Sequence, residues 1–305
     1  MKKRFMGALA LGTAGLLALA GCASDGSGGT SSGGSDNGSS ASGDTIKVSY
    51  IAGWTDGQSI AYLLKDQLEK KDFKVEVDDL TDNGPMYAGL SQGDIDLFAS
   101  AWPEVTQASY MEEFGDKIED LGTWYEGATL TIAVPSYSKL NSIDELKDNA
   151  DLFGSEIIGI EPGAGLTGVT EDSMIPEYEL EDTITLSTSS TATMLTMLGE
   201  AIDKKEEIVV TLWRPFWANS AYDVKDLEDP KGAMGEAEGL HILARDGFKE
   251  DYADLADLIE QIKLDDDAYG ALEELVTSDE YENDSEGAVS KWIEDNADAF
   301  PGLLK

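Results

Sequence analysis

The sequence is short of three things, and each shortage removes a class of function. Its 305 residues include one cysteine, Cys22, and one histidine, His241. Nucleophilic triads need a histidine beside the nucleophile, and zinc sites need several His or Cys ligands. One of each is too few for a zinc site, and His241, the one histidine a triad could use, lies in an apolar, strand-like stretch (Leu240-His241-Ile242-Leu243) that suits a structural role. Basic residues are scarce as well, 21 against 61 acidic ones, for a formal net charge of −40. Phosphate backbones are held by clustered Lys and Arg, so this balance argues against nucleic acid as a partner. It reads as solubility in a salty or charged exterior. Long apolar runs are also missing. The longest, Phe5 to Ala20, is too short to span a bilayer comfortably. The acidic run Asp265-Asp266-Asp267 lacks the spaced ligands, central glycine and terminal glutamate of a calcium loop. No metal and no cofactor is expected.

What is present begins with an address. Met1 to Arg4 is basic, and the Leu-, Ala- and Gly-rich run behind it completes an export signal. The run ends in Leu19-Ala20-Gly21-Cys22, which resembles a bacterial lipobox. Residues 1–21 then form a lipoprotein signal peptide, and Cys22 is lipidated as the first mature residue. Acyl chains anchor through roughly 0.8 kcal/mol per buried CH₂, and two or more make the attachment stable. Lipidation uses the only thiol, so the mature fold has no intrachain disulfide. Residues 22–44 continue as a linker of Gly, Ser, Ala, Asp, Asn and Thr, a flexible tether with a reach of roughly 25 Å. The expected location is extracytoplasmic, anchored by lipid to the cell membrane.

The remaining body is large enough for one big domain or two lobes. Hydrophobic residues make up 41% of the chain, enough to bury a core. Strand patterns cover 45–52, 73–80 and 95–99, with helical spacing over 58–70 and 85–92. Such alternation implies right-handed crossovers and parallel strands. Further strands are expected at 130–134, 156–160 and 208–212, with helices from 143 and over 192–204. The tail from 249 reads as acidic amphipathic helices. The composition suggests two α/β lobes plus a helical tail.

Ligands in open α/β sheets sit beyond the carboxyl ends of strands. Trp54, Trp102 and Trp213 each follow a predicted strand. Any one tryptophan is ordinarily core. Three at strand ends make an aromatic cage that attracts a quaternary ammonium through the ring quadrupole and needs no hydrogen bonds from the methylated nitrogen.

The order of several segments adds to this. They are Gly53-Trp54-Thr55-Asp56, Gly93-Asp94-Ile95-Asp96, Ser100-Ala101-Trp102-Pro103, Leu121-Gly122-Thr123-Trp124-Tyr125-Glu126, Gly159-Ile160-Glu161-Pro162-Gly163-Ala164-Gly165, the run from Val209 to Trp217, and the run from Tyr222 to Pro230. Together they resemble the glycine betaine/choline-type substrate-binding proteins of ABC importers, over most of residues 45–245. The resemblance implies a two-lobed clamshell of the type II periplasmic-binding-protein class with a central cleft and a helical C-terminal tail. Lobe I would hold 45–132 plus 240–305, and lobe II 133–239. It implies that Trp54 and Trp102 come from the first lobe and Trp213 from the second, and that N–H groups of Gly165 and Leu166 take a ligand carboxylate. The Trp-x-Asp pattern at Asp56 resembles choline binders; its alternative is a turn-capping aspartate. The sequence departs from the commonest betaine pattern at Pro103, at Gln107, which stands where some members carry a histidine, and at Phe216, which replaces a histidine. Glycine betaine, choline and carnitine therefore stay open. The implied partners are a small quaternary ammonium ligand and the permease subunits of an importer, with the protein a monomer. Trp124 and Tyr125 are read as structural and Trp292 as part of the tail's core.

Two other classes compete. An enzyme would turn its ligand over, yet no pair among the many acids is picked out by spacing. A surface interaction lipoprotein would share anchor and tether but lack an aromatic cleft and any ligand-linked gain in stability.

Overall fold

Apolar alternation and helical spacing set the first half of the architecture. A computed structural model of the chain describes residues 45–296. The expected signal peptide, Cys22 and the tether lie outside the described residues, as does the end of the tail. Strand β1 (Thr45–Ile51) buries Ile46, Val48 and Ile51. Helix α1 (Thr55–Glu69) buries Ile60, Leu63, Leu64 and Leu68 on one face. It starts three residues before the predicted helix, so Asp56 lies in its first turn rather than in a free turn. Strand β2 (Lys74–Leu80), helix α2 (Asn83–Gln92), strand β3 (Leu97–Ala101) and helix α3 (Ala108–Phe114) follow. β1 pairs in parallel with both β2 and β3, as the strand–helix alternation requires.

Strand β4 (Ile118–Pro135) is 18 residues long, whereas the sequence pattern marks only 130–134. Gly122 and Gly127, both at positive φ, and repeated register shifts against its partner hide the period-2 signal in its first half. The region predicted to open a helix at 143 is a pair of 3₁₀ turns, Ile143–Glu145 and Lys147–Phe153. Next come β5 (Glu156–Ile158), α4 (Gly165–Val169), α5 (Ile175–Glu177), β6 (Thr185–Ser187) and α6 (Thr191–Lys204). The chain continues through β7 (Val209–Arg214), α7 (Ala218–Ala221), β8 (Val224–Asp226) and β9 (Glu238–Arg245). The tail forms α8 (Phe248–Asp251), α9 (Ala253–Ile259), α10 (Asp266–Val276) and α11 (Ser285–Asn296).

The strands join in the order β2-β1-β3-β9-β4-β7-β5-β6, with β8 beside β4. β4 is the seam. Its residues Ile118 to Ala128 pair antiparallel with β9, and Thr129 to Ala133 pair antiparallel with β7. The sheet is thus mixed, with parallel pairs at its two ends and antiparallel ones in the middle. α10 and α11 return to pack on α1. Trp292 is fully buried there and its indole N–H donates to the Ala268 carbonyl at 3.1 Å. His241, on β9, is held by Asp120 on β4 at 2.8 Å and by Glu104 at 3.0 Å.

Candidate binding site

The β1–α1 connection, the segment after β3, the loop after β5 and strand β7 converge on one cavity. It is lined by Trp54, Asp56, Trp102, Thr106, Gln107, Leu130, Ile160, Leu166 and Trp213. The lining is mostly apolar with a few polar groups, the make-up of a small-molecule site. The walls come from both halves of the sheet. Trp54, Asp56, Trp102, Thr106 and Gln107 belong with β1 and β3, and Leu130, Ile160, Leu166 and Trp213 with β4, β5 and β7.

Six of the eight ligand-binding residues expected from the sequence therefore share this cavity: Trp54, Trp102, Trp213, Asp56, Leu166 and Gln107. Trp54 and Trp213 are neighbours, with ring centroids 6.4 Å apart and planes tilted by 56°. Trp213 lies within β7 rather than past its end, paired with Leu130 across the ladder. The other two residues stand outside the lining. Phe216 is stacked behind Trp213 at 4.0 Å, so it supports the wall. Gly165 sits where the halves meet: a β-carbon there would fall 1.9 Å from the Thr106 carbonyl oxygen. Only glycine allows so close an approach. As the opening residues of α4, Gly165 and Leu166 have N–H groups without intrahelical acceptors.

Asp56 is the one carboxylate in the lining and is 2% exposed. Its Oδ2 accepts the Ser100 hydroxyl at 2.7 Å and the Trp102 indole N–H at 3.3 Å. Burial pushes its pKa up; hydrogen bonds from Ser100, the Gly57 N–H and Trp102 partly oppose that. Gln107 fixes the other side of Trp102. Its Oε1 accepts the Trp102 N–H at 2.9 Å and the Tyr87 hydroxyl at 2.8 Å. An amide has two donors, and Gln107 turns one weakly to Asn83 at 3.4 Å.

Three buried acids that shape the site were not among the expected site residues, although Glu161 lies in the segment Gly159 to Gly165. Glu161 accepts the Trp54 indole N–H at 3.3 Å and the Thr191 N–H and hydroxyl at 2.8 and 2.9 Å. Glu238 gathers the N–H groups of Glu104, Val105 and Thr106 at 3.0–3.1 Å and so fixes the loop between Trp102 and Gln107. Glu273, on α10, accepts the hydroxyls of Thr55 and of Tyr269. Its pKa is raised, by burial first, with repulsion from Asp56 adding to it. Trp124 and Tyr125 pack with Tyr269, ring centroids 5.3 and 6.0 Å away, apart from the cavity.

Among the described residues no group of three His, Cys, Asp or Glu is placed to hold a metal. No described helix is long and apolar enough to cross a membrane. Residues 44–295 match the family model described as the substrate binding domain of an ABC-type glycine betaine transport system. The chain belongs to this family. The family is one of transport substrate-binding domains, not of enzymes. Over 156 residues the chain is 35% identical to the glycine betaine/carnitine transport binding protein of Listeria monocytogenes, and the match spans about half of each protein (51% of each). The fold is that of a glycine betaine/L-proline-binding protein (ProX) from Borrelia burgdorferi, with a TM-score of 0.79 at 32% identity over 86% of this chain and 97% of that one. It is also that of lactococcal OpuAC in its closed conformation with glycine betaine, with a TM-score of 0.77 at 29% identity over 86% of this chain and all of that one. This α/β architecture is the type II periplasmic-binding class.

Proposed function

We propose that this chain captures glycine betaine, or a closely related quaternary ammonium compound, for the permease subunits of an ABC importer. The observation that carries the reading is the angled pair of Trp54 and Trp213 lining one cavity with a third indole, Trp102. Each ring contributes roughly 0.5–2 kcal/mol to holding a desolvated cation. Three rings give about 2–6 kcal/mol, while micromolar binding needs about 8 kcal/mol. Apolar burial and an anchor for the far end of the ligand must supply the rest. For a carboxylate, the N–H groups of Gly165 and Leu166 and the Gln107 amide are the anchors.

Cavity walls drawn from 54–107 on one side and 160–213 on the other, with Leu130 on the long strand between them, support a two-lobed clamshell of 45–132 with the tail and 133–239, in which binding and closure are one event. Cys22 carries the lipid that keeps the protein at the outer face of the membrane, and the monomer works from its tether.

Asp56 favours a second reading, choline, whose hydroxyl a buried carboxylate accepts and whose charge it balances. Calorimetric titration of the chain with glycine betaine and then choline separates the two. Betaine alone binding makes Asp56 a support for Trp102. Choline alone binding makes it the far anchor. Silence from both, and from carnitine, refutes the cage.

A further inference from the structure

Of the cage indoles, two donate their N–H to carboxylates, and they do so differently. Trp102 donates to Asp56, which belongs to the same half of the sheet. Trp54 donates to Glu161, which follows β5 in the other half. We infer that Glu161 is a positioning residue: it aims the Trp54 indole into the cavity and makes that aim depend on the two halves being closed. The inference rests on the reading of the cavity as a cation cage.

Glu161 is built to stay fixed on its own half. Its carboxylate takes both the N–H and the hydroxyl of Thr191, the first residue of α6. That helix start favours a negative charge. Its backbone carbonyl accepts the Thr167 hydroxyl at 2.8 Å and the Ala164 N–H at 3.0 Å. The acid is 8% exposed, so it has little water to turn to. On the opposite side, Gly53 adopts φ +84° and brings its backbone against Thr191, where a β-carbon would lie 3.6 Å from that of Thr191. This left-handed turn delivers Trp54 to the acid. An indole has one donor, and Glu161 takes it.

The chemistry of the contact suits a cage. A charged acceptor strengthens the hydrogen bond and polarises the ring, which makes its face a better seat for a cation. When the halves part, Glu161 keeps Thr191 and loses Trp54. The ring then loses its fixed angle. Release of ligand must break this bond, so its effect falls on dissociation more than on association.

Glu161→Gln tests the idea, because the amide oxygen keeps one Thr191 donor while its NH₂ opposes the Trp54 N–H. The full chain has six tryptophans and hence six indole N–H signals in a nitrogen–proton correlation spectrum. Trp54→Phe identifies the one from Trp54. We expect that signal to move in Glu161→Gln and the dissociation rate of glycine betaine or choline to rise at least about fivefold with association nearly unchanged. Adding Glu161→Gln to Trp54→Phe should then change the rate by less than about twofold, since the two act through one bond. Normal ligand binding with an unmoved Trp54 signal overturns the positioning role alone, as do additive effects in the double variant, which belong to a merely structural acid. A wild-type chain that binds none of these compounds removes the cage reading and the role with it.

Discussion

Trp102 and Trp213 bury all but 4% and 5% of their surfaces around the cavity. Removing either indole takes away one wall of the cage and leaves a void. Each ring is worth roughly 0.5–2 kcal/mol to a cation, and lost apolar contact adds to that. Trp102→Ala and Trp213→Ala should therefore each weaken binding at least about tenfold, read by calorimetry, while circular dichroism shows the fold intact. Unchanged affinity in both variants sinks the cage. Asp56 adds a pH dependence. Burial raises its pKa in the folded chain, so the folded state holds a proton more readily than the unfolded one. Its contribution to stability is fullest below the ordinary carboxylate value and is lost as pH rises through the raised one. A bound cation prefers the ionised form, so affinity should rise with pH over that window, and Asp56→Asn should flatten the profile. Equal profiles in both proteins would show that Asp56 does not feel the ligand. The Trp-x-Asp spacing made Asp56 legible in the sequence. Glu161 was legible only as a member of the segment Gly159 to Gly165, and Glu238 and Glu273 not at all, because 61 acids give no local sign of which are buried.

At the scale of elements, the seam between β4 and β9 and the contact of the 104–107 loop with α4 govern how the halves meet. Gly165→Ala places a methyl against the Thr106 backbone, which cannot swing aside as a long side chain can. Closure should suffer more than folding. Ligand affinity is expected to fall at least about tenfold, with the melting temperature of the free protein lowered by only a few degrees. Full affinity in this variant would mean that the halves need not approach so closely. His241 clasps β9 to β4. Burial alone would lower its pKa, but the hydrogen bond and charge of Asp120, and then Glu104, carry it above 6.5. Burial raises the Asp120 pKa, but the hydrogen bonds from His241 and the Gly122 N–H and the charges of His241 and Lys249 together outweigh that and take it below 3.8. The pair is thus strongest between these two ordinary values. It weakens as pH rises through the raised histidine pKa, and as pH falls through the lowered aspartate one. Melting temperature should drop across the alkaline side of that window in the wild type and stay level in His241→Asn. Parallel curves would show that the clasp contributes nothing. The first five elements were legible because each is local and periodic. Of β4 only 130–134 was, since bulges and two positive-φ glycines break the alternation of its first half.

On the scale of the whole molecule, the proposed design is anchor, tether and acidic body. If Cys22 carries the lipid, Cys22→Ser should release the chain from the membrane fraction into the surrounding medium, with ligand affinity unchanged. A variant that still sediments with membranes would place the attachment elsewhere. The sequence by itself determined the α/β alternation of the first strands and helices, the helical tail, and the places of Trp54 and Trp102 just past β1 and β3, because periodicity and strand-end position are local properties of the chain. Only the tertiary structure decided the antiparallel seam, the approach of Gly165 to Thr106, and the hydrogen bond from Trp54 to Glu161 across 107 residues. Those depend on long-range pairing and close packing, which no window of sequence contains.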